Sequence, residues 1–100
     1  MKEAHKTSAL NRLKTVRGHT DAVIAMVAEE RYCPEIMKQV SALQASLEKV
    51  NRLLLQNHLE TCVLDAVQEG RSAQIVDELM ESLKYTTALT GPENRTAGIG

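Results

Sequence analysis

One hundred residues carrying a formal net charge of −1, with neither tryptophan nor phenylalanine, make one domain and a poor host for an enzyme with a deep cleft. Plentiful Leu, Ala, Glu, Lys, Gln and Met beside two prolines favour helices over all-β or α/β folds. The near-neutral average argues against a nucleic-acid partner, yet residues 1–20 carry Lys2, Lys6, Arg12, Lys14 and Arg17 against Glu3 alone, whereas 60–84 are predominantly acidic, so one region of the surface can still be basic.

The spacing predicts a first amphipathic helix over residues 7–29, with Leu10, Leu13, Arg17, Thr20, Ile24 and Val27 in steps of three and four. Val16 and Val23 widen the stripe, and Thr7 or Ser8 is placed to cap its start. The segment Glu29 to Pro34 interrupts the pattern, because the residue before a proline is driven out of helical space while proline suits a first helical turn. So short a connection folds the next helix back antiparallel.

That second helix, residues 34–68, is the main element. Ile36, Val40, Leu43, Leu47, Val50, Leu54 and Asn57 form a heptad-like seam running on toward Leu64 and Val67. Gly70 is the natural stop. Ser72 then caps a third helix to about Tyr85, with Ile75, Leu79 and Leu83 on its buried face. Thr86 to Gly100 has no periodicity and contains Pro92; it is expected to be a mobile tail. The domain reading is a single helical unit over 1–90 and a flexible tail over 91–100.

The expected fold is therefore all-α, with three helices per chain. Two long antiparallel helices with wide apolar stripes leave their outer residues wet, so pairing with a second copy completes a four-helix bundle. No stretch approaches the roughly 20 apolar residues of a membrane span, and no signal-peptide core is present. The expected compartment is the cytoplasm, where Cys33 and Cys62 are thiols, metal ligands or redox sensors rather than a structural disulfide.

His58 and Cys62 stand at i, i+4, which puts both on one helical face within reach of a common ion. Alone, that spacing is more often incidental. Cys33 would complete a donor set, but the 25 residues from Cys33 to His58 span about 37 Å of helix. An antiparallel homodimer whose long helices cross near residues 45–47 removes the obstacle, since Cys33 of one chain then lies beside His58 and Cys62 of the other. Ala42, Ala45 and Ser46 are small enough for a close crossing, and the dyad generates two identical sites. Two thiolates and one imidazole suit Cu(I), whereas structural zinc asks for four ligands and nickel or cobalt for more nitrogen or oxygen donors. His5 is the sole further candidate near the N-terminus, and His19 reads as a polar surface residue.

The runs ALNRLKTVRGH from Ala9, CPEIMKQVSALQASLEKVNRLLL from Cys33, NHLETC from Asn57 and LTGP from Leu89 together resemble the copper-sensitive operon repressor family over about residues 8–93. The resemblance implies an all-α dimer assembled further into a dimer of dimers, a homotetramer whose apo form binds operator DNA without a helix-turn-helix and whose Cu(I) form releases it. It matches Cys33, His58 and Cys62 to the family's copper ligands, and Tyr32 and Glu78 to its outer-shell Tyr and Glu. A carboxylate such as Glu78 can orient a ligating imidazole through its other ring nitrogen. Departures from related sensors are informative: nickel and cobalt sensors add an N-terminal His, with which His5 is about four residues out of register. Persulfide sensors lose the His matched here by His58, and formaldehyde sensors lack the second Cys, here Cys62.

For DNA, Arg12, Lys14 and Arg17 on the first helix and Lys38, Lys49 and Arg52 on the second supply basic surface, although scattered cations are often only solvated. The resemblance singles out Arg12, Lys49 and Arg52, with Lys49 replacing the family's Arg; a lysine still meets phosphate but loses bidentate base recognition. Competing readings are a cytosolic copper-buffering protein that never touches DNA, a nickel, cobalt or reactive-sulfur sensor on the same fold, and a purely structural bundle. Catalysis is not expected, because Cys33 and His58 come with no orienting third group.

Overall fold

The computed structural model describes residues 1–85; the predicted tail and the LTGP turn lie outside the described residues. Three helical rods account for almost all of it, and no strand occurs among the described residues. Helix α1 spans Glu3–Ala28 and α2 spans Cys33–His58. A π-helical turn over Leu59–Val63 continues α2 without a break into the short α3, Leu64–Gln68. Helix α4, Ser72–Ser82, tightens into a 3₁₀ turn at Leu83–Tyr85.

Helix α1 starts four residues before the predicted boundary, and neither Thr7 nor Ser8 caps it. The first turn is held instead by tertiary contact: the Lys2 backbone N–H donates to Asn57 Oδ1 at 2.8 Å. Its end is a Schellman motif, in which Arg31 N–H bonds Met26 C=O at 3.0 Å and Glu30 N–H bonds Val27 C=O at 3.0 Å. The left-handed residue of that motif is Glu30, at φ 53°. A glutamate there costs about 1–2 kcal/mol relative to a residue without a Cβ. Proline then serves the next start as expected, with Pro34 in the first turn of α2 and Tyr32 C=O accepting from Glu35 N–H at 2.9 Å.

The second reversal repeats the device with the expected glycine. Gly70 sits at φ 79°, Gly70 N–H bonds Val67 C=O at 3.2 Å and Arg71 N–H bonds Ala66 C=O at 2.7 Å. Ser72 does not cap α4, because the cap position falls on Arg71 and no side chain fills the role.

Helices α1 and α2 form an antiparallel hairpin, closed at one end by the short connection and fixed along its length by side-chain hydrogen bonds. His19 Nε2 lies 2.7 Å from Gln39 Oε1, and His5 Nε2 lies 2.7 Å from Glu60 Oε2. His19 is thus a half-buried strut between the helices rather than the surface residue expected.

The core is thin. Ala9, Val23, Val50, Ala66 and Ile75 are the buried apolar residues. Much of the predicted stripe stays outside: Leu10, Leu13, Ile24 and Val27 of α1, and Val40, Leu47 and Leu54 of α2, are all exposed. The run of the seam into Leu64 and Val67 is likewise not covered within the chain, since both are 53% exposed while Ala66 is fully buried. The reason is local. The π turn changes the helical register after His58, and α4 folds back over the side that carries Ala66. The third helix behaves as predicted, with Ile75 buried and Leu79 and Leu83 half-buried. Cα extents of 56 × 36 × 19 Å describe a slab no more than two helices thick, each about 10–12 Å across.

Candidate metal centre and nucleic-acid face

Cys33 is the first residue of α2 and His58 the last. Both thiols, Cys33 and Cys62, are free and exposed, and His58 is half-buried. Because α2 runs unbroken between them, the two ends of the donor set stand about 37 Å apart along the axis. Accordingly, among the described residues of one chain no three His, Cys, Asp or Glu side chains gather closely enough to hold a metal.

The His58 end has more structure than the i, i+4 spacing suggests. The π turn begins immediately after His58 and contains Cys62. Single π turns inside α-helices recur at functional sites, because the wider i→i+5 ladder re-aims side chains at some cost in helical bonding. Four residues still make close to one full turn, so the spacing keeps Cys62 near the side of His58. Thr61 anchors the turn, its hydroxyl lying 2.7 Å from Asn57 C=O and 3.6 Å from Cys62 Sγ.

His58 borders a cleft of about 370 Å³ shared with Asn51, Leu54, Ser82, Leu83 and Tyr85. No hydrogen bond engages its ring among the described residues, so both nitrogens are open to new partners. Glu78 is exposed, and its side chain does not reach His58 within this chain. It does lie one helical turn before Ser82, whose hydroxyl donates to Glu78 C=O at 3.0 Å, and Ser82 faces the same cleft as His58. Tyr85, which no motif pointed to, also borders this cleft, and its C=O accepts from Asn51 Nδ2 at 3.4 Å.

At the other end, Cys33 edges an apolar groove of about 500 Å³ formed with Val27, Ile36, Met37, Val40 and Ser41. Tyr32, next to Cys33, is 73% exposed.

Midway between His58 and Cys62, and so on the opposite side of the turn from both, sits Glu60. Its carboxylate accepts from His5 at 2.7 Å and from Gln56 Nε2 at 3.2 Å, and it pairs with Lys2 Nζ at 3.3 Å. These three donors, His5 foremost, lower its pKa from 4.5 to about 2. A carboxylate whose pKa falls on folding adds stability above its unfolded value, and that contribution is lost as pH drops from 4.5 through about 2. Urea unfolding at fixed chain concentration should therefore separate wild type from Glu60→Gln near neutral pH, with the two curves converging by about pH 2. A stability difference independent of pH over that window would count against this role for the carboxylate.

The candidate DNA-facing cations, like Lys6, differ from the paired cations by what they lack. Arg31, Arg71 and Lys84 pair with Glu35, Glu69 and Glu81, and Lys2 pairs with Glu60. Arg12, Lys14, Arg17, Lys38, Lys49 and Arg52 are exposed, and among the described residues none of them forms an ion pair. Their charges remain available to an external anion.

Comparison with known proteins bears directly on this arrangement. Residues 5–85 match the family described as metal-sensitive transcriptional repressor. The chain is 52% identical over 95 residues to the copper-sensing transcriptional repressor CsoR of Mycobacterium tuberculosis, covering 95% of this chain and 80% of that protein. Its backbone is similar to that of the copper-sensing repressor CsoR with Cu(I) from Geobacillus thermodenitrificans NG80-2, with a TM-score of 0.78 and 37% identity over 84% of this chain and 88% of that one. It is also similar to the nickel-responsive transcriptional regulator InrS, with a TM-score of 0.70 and 40% identity over 78% of this chain and 88% of that one. A match that spans the described helices and holds in both sequence and backbone leads to one conclusion: the chain belongs to the metal-sensitive transcriptional repressor family.

Proposed function

We propose that this chain is a Cu(I)-responsive transcriptional repressor, bound to operator DNA without metal and released when Cys33 of one protomer, with His58 and Cys62 of its partner, takes up Cu(I). The observation that carries the reading is the placement of exposed soft donors at opposite ends of one straight helix. That arrangement is useless within a chain and complete across an antiparallel pair. The copper-sensing names of the similar proteins agree with the donor chemistry.

The donor set fits the ion. Two thiolates and an imidazole provide the soft, low-coordinate environment that Cu(I) favours, and when bound the ion supplies a cross-link between chains. Tyr32 travels with Cys33, so the same pairing delivers its phenol to the His58 end. Glu78 is presented on the helical face that already addresses the His58 cleft through Ser82. Either is suited to bond the ring nitrogen of His58 that copper leaves free, fixing the imidazole.

Both long helices keep exposed aliphatic residues, enough for two apolar contact surfaces. One serves the antiparallel dimer and the other a dimer of dimers. Arg12, Lys14, Arg17, Lys49 and Arg52 bind the operator, their free charges displacing counterions from phosphate. No helix among the described residues is long and apolar enough to cross a membrane.

The similarity to a nickel-responsive regulator raises nickel as the second reading. Nickel needs nitrogen or oxygen donors beyond two thiols and one imidazole. The nearest spare imidazole, His5, is committed to Glu60, which favours copper.

Fluorescence anisotropy of promoter DNA tests the proposal. Saturating Cu(I) should weaken DNA binding by at least the roughly 5- to 150-fold typical of allosteric coupling. Cys33→Ala should bind DNA as wild type does and ignore copper. DNA affinity unmoved by Cu(I) in wild type would overturn the reading, and release by Ni(II) alone would replace it with the second.

A further inference from the structure

The ligand-bearing turn is tied by its back to the first turn of the basic helix. Lys2, His5, Gln56, Asn57 and Glu60 form one connected network: the Lys2 backbone donates to Asn57, and the Lys2 and His5 side chains converge on Glu60. Asn57 is the one buried polar residue among those described, at 7% exposure, so the network is partly shielded from water. Glu60 occupies the midpoint between His58 and Cys62, two residues from each. In a helical turn that midpoint faces away from the pair it separates.

We propose that Glu60 is a positioning residue that couples the metal ligands to the DNA-facing helix, through its clasp on Lys2 and His5. The inference rests on the copper-responsive reading above. A pull on His58 and Cys62 toward a shared ion acts on one side of the π turn, and Glu60 is its handle on the other side. A π turn is a weaker element than the α-helix on either side of it, and so a natural place for a local rearrangement. Helix α1 is continuous from Glu3 to Ala28, so displacement of its first turn carries Arg12, Lys14 and Arg17 with it. Coupling of this kind needs a discrete element that both sites bias, and the clasped π turn supplies one.

Three quantities on the full chain decide the matter: DNA affinity without metal, DNA affinity with saturating Cu(I), and Cu(I) affinity against a competing chelator. For Glu60→Gln the structure predicts copper affinity within about threefold of wild type and an unchanged copper–thiolate absorption band. The copper-induced loss of DNA affinity should shrink by about tenfold or more. The double variant Lys2→Gln/His5→Gln opens the clasp from its other side without touching the ligand turn, and should show the same uncoupling. A merely structural clasp would lower thermal stability while leaving the ratio of the two DNA affinities intact in both variants, and that result overturns the proposal. If wild type itself fails to release DNA on adding Cu(I), the functional reading falls, and this inference with it; normal release by wild type and by both variants removes the inference alone.

Discussion

Mixed dimers of Cys33→Ala with His58→Ala/Cys62→Ala bind one Cu(I) per pair, while each parental homodimer binds none tightly. This is the expected result if every site draws on two chains. In the mixed pair one site loses all three ligands, but the other receives Cys33 from one chain and His58 with Cys62 from the other, restoring the full set. In either homodimer both sites lack part of their primary ligands, a defect exceeding the ~10–100-fold typical of an outer-shell loss. Differently tagged chains, co-purified through both tags and titrated with Cu(I) against a chelator, give the stoichiometry directly. Zero copper in the mixed pair would exclude a shared site, whatever the behaviour of the single variants.

Leu47→Glu is expected to have the second large effect, on stability. Leu47 is 44% exposed in the isolated chain and stands close to the proposed crossing of the long helices. Among the described residues the five buried apolar ones are two alanines, two valines and one isoleucine, a small core against the ordering entropy of so many residues. If the long helices pair as proposed, association supplies the missing stability. In a twofold pair the substitution buries two unpaired carboxylates, each with an effective penalty of several kcal/mol. The variant should sediment as a monomer and lose most of its helical circular dichroism, and the wild-type melting temperature should rise with chain concentration. A melting temperature unchanged over tenfold dilution, with Leu47→Glu folding cooperatively, would mean that the single chain is self-sufficient.

What the sequence made legible follows from how local each signal is. Gly70 and Pro34 act within a turn and were placed correctly, because left-handed space and a fixed φ leave few alternatives. The failure of Cys33, His58 and Cys62 to meet within one chain was also visible, since that follows from helical rise alone. The start of α1 was not visible, because what holds it is Asn57, fifty-five residues away. The end of α1 was placed within one residue by the break at Glu29 to Pro34, but the left-handed Glu30 that closes it was not, because an acidic side chain carries no cue for that region. His19 looked like a surface residue because its partner, Gln39, lies on the other helix. The π turn has no composition of its own, and so the burial of Ala66 by this chain, in place of Leu64 or Val67, was not foreseen. Aliphatic periodicity found the apolar residues but did not sort those covered by the chain's own fold from those left to another copy.

Helix α2 is a gauge as well as a scaffold. Its twenty-six residues from Cys33 to His58 hold the two halves of the proposed donor set at a fixed separation and a fixed angle. Most of its solvent-facing side chains can change without altering either. One residue added or removed between Val40 and Leu54 rotates one half relative to the other by about 100° and shifts it by about 1.5 Å. Two chains related by a dyad make the same error at both sites. The length of this segment is therefore under tighter constraint than its composition, and tolerance to substitution along it coexists with intolerance to any change in residue number.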